Sequence, residues 1–271
     1  MPDKTPPRQT VSVELPVGGW PSPWPQCLEL AQVFDTSKWT LVGGLMVQLH
    51  AAIAKVPVIR PTTDVDLVLH VETGAVTGPE VSRELSQLGY ELQLPLRKSS
   101  PAHRFVRYSD GLTETIDVMV ADHGISKPPL LIGGREPFQV SAGTQALKRT
   151  VSCQIVDSDG EVVAMLSIPS PFAALVLKGA AYREDTRDRG RHLEDAALLS
   201  TILGDPLVLV LELQGSDRSR IIGLYKQLSD LGHPAWAGLD EDRCREGHYA
   251  LDILSSNPQD FAFDEGLDTA L

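Results

Sequence analysis

Before about residue 169 the apolar residues come in short bursts of strand length, and after it they recur at helical spacing. Leu28, Leu30, Ala31 and Val33 mark a first helix over residues 26–34, and the polar, proline-bearing stretch before about Pro21 reads as a tail. A strand over 39–42, a helix over 45–54 and a strand reaching Leu69 follow, then a helix near 79–88 and strands around 90–94, 104–108 and Asp117. Asp157-Ser158-Asp159-Gly160 separates the apolar runs 151–156 and 162–168, which is a hairpin signal. From Ser170 the pattern turns helical: Ser170 suits a cap, Pro171 a first helical position, and Phe172, Leu175, Val176 and Gly179 share one face. A second such helix runs to Leu203 and stops at Gly204, a third starts at Asp205-Pro206 and a fourth at Ser216-Asp217. The expected class is α/β (α+β). A tail over 1–21 precedes a mixed sheet with flanking helices over 22–168, and a helical part occupies 169–271.

Composition narrows this picture only a little. A chain of 271 residues that is 42% hydrophobic can bury an ordinary core. Its three cysteines, Cys27, Cys153 and Cys244, are odd in number and far apart, so neither a disulfide framework nor a zinc site is indicated. Residues 1–19 lack the apolar run of a secretory signal, and no later stretch has the length to cross a membrane; a cytoplasmic protein is expected. The formal net charge of −12 argues against adhesion to nucleic acid over the whole surface. Arg183, Arg187, Arg189 and Arg191 nevertheless follow one another closely, interrupted by Glu184, Asp185 and Asp188. That segment reads either as a solvated connection between helices or as a track for an RNA backbone.

The chemistry is concentrated in two short motifs. Asp64 and Asp66 are two apart in a strand, so they project together while Val65, Leu67 and Leu69 face the core. Like charges about 4 Å apart repel by roughly 4 kcal/mol at an effective dielectric near 20, which favours a raised pKa or a cation between them. Mg²⁺ suits the place because it is commonly held by one or two carboxylates together with substrate phosphates. Gly43-Gly44 falls between the strand over 39–42 and the helix that follows, where the lack of Cβ lets phosphate approach helix N-terminal amides. One element is expected to hold a triphosphate and the other its metal.

Gly43-Gly44, the Arg60-x-Thr62-x-Asp64-x-Asp66 stretch, Asp117 in a later apolar strand, and then Lys178 and Asp195 together resemble the nucleotidyltransferases of the DNA polymerase β superfamily. More narrowly, the chain is similar to the AbiEii-like and MenT-like toxins of toxin–antitoxin systems over about residues 38 to 203. Two positions depart from that pattern: Glu194 precedes Asp195 where many members carry a basic residue, and Gly44 stands where serine is frequent.

The resemblance implies a polymerase β-like mixed sheet and three carboxylates, Asp64, Asp66 and Asp117, around two Mg²⁺ ions. It also implies NTP phosphates at Gly43, Gly44 and Lys178, and Asp195 as the group orienting Lys178 or the acceptor. Arg60 and Thr62 would fix the loop or contact phosphate, although Thr62 and Thr63 also suit partners within their own turn. The implied activity is transfer of a nucleoside monophosphate from an NTP to RNA, at a tRNA 3′ end, restrained by a cognate antitoxin. Two alternatives stand beside it: a nucleotidyltransferase with a small, antibiotic-type acceptor, and a catalytically silent nucleotide-binding module.

Overall fold

The computed structural model describes residues 9–57, 60–74, 76–109, 111–122 and 130–257. Within them the chain is a mixed α/β structure. Strand β1 (Thr10–Glu14) and helix α1 (Trp24–Val33) precede the unit β2 (Trp39–Leu41), α2 (Gly43–Ile53), β3 (Asp64–Leu69). Helix α3 (Gly78–Gln87) then leads to β4 (Glu91–Leu92), β5 (Arg104–Ser109), β6 (Leu112–Ala121) and β7 (Phe138–Val140). After α4 (Gly143–Lys148) come the hairpin strands β8 (Thr150–Val156) and β9 (Val162–Pro169). The rest is helical: α5 (Pro171–Glu184), α6 (Gly190–Ser200), α7 (Pro206–Val210), α8 (Asp217–Leu228) and α9 (Glu241–Ser255).

The larger sheet runs β2-β3-β6-β5-β4, with β7 also pairing to β6. The β3–β6 pair is parallel and central, while β2–β3, β5–β6 and β4–β5 are antiparallel. Val65, Leu67 and Leu69 are all 0% exposed, so the inward row of β3 behaves as alternation predicts. Trp39, Phe105 and Ile116 fill the same interior. Each such side chain contributes about 1.5–3 kcal/mol on burial, enough in sum to hold a sheet that carries acidic groups at one end.

Three features differ from the sequence expectation. The stretch read as a tail contributes β1, which pairs in parallel with β8, so that the β8–β9 hairpin belongs to a separate three-stranded sheet. Alternating Val11 and Val13 within a short polar context gave too weak a signal for a strand, and only the β8 edge gives it hydrogen-bond partners. Helix α2 begins at Gly43 rather than Leu45, which puts the glycine pair inside its first turn. The strand expected over 90–94 shrinks to Glu91–Leu92.

The helical part forms as its caps dictate. The Ser170 hydroxyl accepts from Ala173 N, Pro171 stands in the first turn, and Asp205 accepts from Leu207 N ahead of Pro206. A Cβ on Gly179 would lie 2.9 Å from the Arg220 carbonyl oxygen, so glycine is what lets α5 and α8 touch. Helix α2 packs on β3 with one flank and on α5 and α6 with the other. Residues of the sheet and of the helical part therefore meet at the N-terminus of α2. Among the described residues no helix is long and apolar enough to cross a membrane.

Candidate metal centre

Asp64 and Asp66 project from the start of β3, and Asp66 is directly opposite Asp117 in the parallel β3–β6 register. Carboxylate oxygens of all three lie within 4.8 Å of one another. Asp117 is buried, whereas Asp64 and Asp66 keep part of their surface open. Asp66 is nonetheless closely surrounded: burial, and after it the charges of Asp64 and Asp117, push its carboxyl up to about 7 against the smaller pull of Lys178 and Arg191. The Thr62 hydroxyl donates to Asp64 Oδ1 at 3.1 Å, a partner just beyond its own turn.

The glycine pair serves this cluster by proximity. Gly43 has φ +68°, and a Cβ there would lie 1.9 Å from Asp66 Oδ2; a Cβ on Gly44 would lie 2.5 Å from Thr62 Oγ1. The missing Cβ atoms of the pair thus make room for the side chains of Asp66 and Thr62. No side chain caps the N-terminus of α2, so its first amides and the positive end of its dipole adjoin the carboxylates.

Lys178 and Asp195 come together beneath that turn. Lys178 Nζ is 2.7 Å from Asp195 Oδ2 and donates to the Gly43 carbonyl at 3.1 Å. Arg60 closes the group from the other side, donating from Nε to Asp195 Oδ1 and from Nη2 to Oδ2, each at 2.7 Å. Asp195 is 1% exposed and Lys178 5%. Burial on its own would push the Asp195 carboxyl up, yet the Lys178 and Arg60 cations beside it hold it below the usual carboxylate range. The network binds the loop before β3 to α6, and α6 through Lys178 of α5 to the first turn of α2. All nine positions singled out in the sequence, Gly43, Gly44, Arg60, Thr62, Asp64, Asp66, Asp117, Lys178 and Asp195, thus fall into one region as two adjoining clusters.

The arginine-rich connection between α5 and α6 is organised by Asp185, which accepts from Arg187 N at 2.8 Å, Asp188 N at 3.2 Å and Arg191 Nη2 at 3.0 Å. His192 Nε2 also lies 3.2 Å from that carboxylate, and burial, together with the Lys178 and Arg191 charges, pushes its imidazole down to about 4. Arg191 and His192 stand in the first turn of α6, the helix that also carries Asp195, so this segment leads into the network beneath the α2 turn.

Sequence reasoning missed Arg104. It opens β5 opposite Asp117, and its guanidinium donates from Nε to Oδ1 at 2.9 Å and from Nη2 to Oδ2 at 2.6 Å. A single arginine at a strand start carries no signal; only the β5–β6 register reveals the partner.

The donor set fits a hard divalent cation. All three candidate ligands are carboxylates, hard oxygen donors of the kind Mg²⁺ takes, and one oxygen of each lies within 4.8 Å of the others. Comparison with family models, curated proteins and solved structures finds no match, so the chemistry of the site must be argued from its geometry.

Proposed function

We propose that this chain is a Mg²⁺-dependent nucleotidyltransferase that moves a nucleoside monophosphate from an NTP to a hydroxyl of an RNA acceptor. The observation that carries the reading is the alignment of Asp66 with Asp117 across β3 and β6, with Asp64 beside them and the start of α2 against Asp66. Bound at Asp64, Asp66 and Asp117, Mg²⁺ supplies Lewis-acid stabilisation of the charge that develops on the α-phosphate oxygens. The chain's own part is positioning. The first amides of α2 present donors to phosphate. Lys178 bridges Asp195 and the Gly43 carbonyl, so it holds that turn in place and adds positive potential, while Asp195, itself held by Arg60, keeps Lys178 oriented. In the transfer the acceptor oxygen bonds to the α-phosphorus, the bond to pyrophosphate breaks, and the hydroxyl proton leaves to a site carboxylate or to water.

RNA is the favoured acceptor because Arg183, Arg187, Arg189 and Arg191 are exposed at and around the connection leading into α6, the helix that bears Asp195, in a chain whose net charge is −12. The motif resemblance extends this to a polymerase β-like fold, a tRNA 3′ end, a toxin acting in the cytoplasm and a cognate antitoxin. The test is incubation of the purified protein with Mg²⁺, total RNA and each α-labelled NTP in turn, beside Asp66→Asn. Label in a tRNA-sized band with wild type alone supports the reading and reveals the base. Label in a small cationic acceptor but not in RNA redirects it to the antibiotic-type activity, and no label with any NTP refutes it.

A further inference from the structure

The contact between Arg104 and Asp117 is unusual for a metal ligand, because both oxygens of the buried carboxylate are engaged by one guanidinium. The two partners differ in freedom. Asp117 is 6% exposed, whereas the Arg104 side chain is 44% exposed. Asp64 and Asp66 also act on the same guanidinium, so Arg104 sits in the field of all three carboxylates. A planar fork of donors that matches carboxylate matches phosphate equally well.

We propose that Arg104 guards Asp117 while the three aspartates hold no metal, and exchanges that partner for a phosphate of the nucleotide once a divalent cation is bound. The inference rests on the metal-dependent reading above. Its logic is competition: the Arg104 guanidinium occupies the same Asp117 oxygens that a divalent cation at the three carboxylates would need. Asp117 then holds Arg104 more weakly, and an incoming triphosphate offers the same geometry with more charge. Arg104 therefore opposes metal binding and favours nucleotide binding, whereas an arginine that merely braced β5 against β6 would leave nucleotide binding at saturating metal unchanged.

The test measures Mn²⁺ binding to the full chain by calorimetry without nucleotide, then binding of a non-hydrolysable NTP analogue at saturating Mn²⁺, in wild type, Arg104→Gln and Arg104→Lys. Thermal melting of each variant checks that the fold is retained. The expected result for Arg104→Gln is Mn²⁺ binding about tenfold tighter and nucleotide binding about tenfold weaker, with Arg104→Lys between it and wild type in both. Mn²⁺ affinity equal to or below wild type in both variants overturns the role of Arg104 and leaves the metal centre standing. Absence of Mn²⁺ binding in wild type and variants alike overturns both readings.

Discussion

Removing the Asp195 carboxylate should cost this protein far more than an ordinary ion pair. Asp195 is 1% exposed and receives Nε and Nη2 of Arg60 and Nζ of Lys178, all at 2.7 Å. Arg60 keeps 18% of its side chain exposed and can turn to solvent, but Lys178, at 6%, cannot. Asp195→Ala therefore strands a buried ammonium with the Gly43 carbonyl as its remaining partner. Breaking a buried pair in this way costs about 3–5 kcal/mol, a large share of the roughly 5–15 kcal/mol that holds a typical domain folded. Replacing both partners with apolar groups removes the stranded charge, so Asp195→Leu combined with Lys178→Met should recover most of the loss. Urea unfolding of the two single variants and the double variant gives the coupling directly, read from midpoints at constant slope. A loss below about 1 kcal/mol for Asp195→Ala, or strict additivity in the double variant, would show that the network is not desolvated and refute the reasoning.

Three further outcomes follow from the same geometry. Gly43→Ala forces a Cβ to within 1.9 Å of Asp66 Oδ2 at φ +68°; a stability loss of about 1–2 kcal/mol in thermal melting should accompany loss of nearly all Mn²⁺ binding, because Asp66 must move. With the Asp66 carboxyl at about 7, metal has to displace its proton below that pH, so Mn²⁺ affinity should fall by about tenfold per pH unit under pH 7, with proton release seen in calorimetry in two buffers; a flat profile between pH 6 and 7 would contradict the assignment. His50, buried and bonded to the Pro169 carbonyl, is pushed by burial from its ordinary 6.5 down to about 4. Its contribution is complete above pH 6.5 and is lost as the unfolded imidazole takes up protons toward pH 4, so His50→Gln should flatten that part of the stability profile in urea titrations.

Spacing alone was enough to make Asp64 and Asp66 neighbours on one face, because the side-chain period of a strand is two whatever surrounds it. Caps and prolines were equally local, and Ser170-Pro171, Asp205-Pro206 and Ser216-Asp217 start their helices where the sequence places them. The apolar periodicity likewise separated a sheet-bearing first part from a helical second one. These features depend on residues within a few positions of each other, and backbone geometry is sufficient to relate them.

What the tertiary structure decided depends on register and on close approach. The parallel pairing of β3 with β6 sets Asp117 opposite Asp66, and the antiparallel pairing of β5 with β6 sets Arg104 opposite Asp117; a slip of one residue in either would turn these side chains to the other face. Close approach accounts for Gly43 and Gly44 as well. Their missing Cβ atoms admit Asp66 and Thr62, which no count of residues along the chain can show. Lys178 and Asp195 were identified as a pair, but their convergence with Arg60 under the start of α2 comes from the packing of α2 between β3 and the helices α5 and α6. The sequence by itself determined which chemical groups are present and which near neighbours share a face. Only the fold decided which charges meet across elements, because strand register and helix packing are set by the burial of the whole core rather than by any local run of residues.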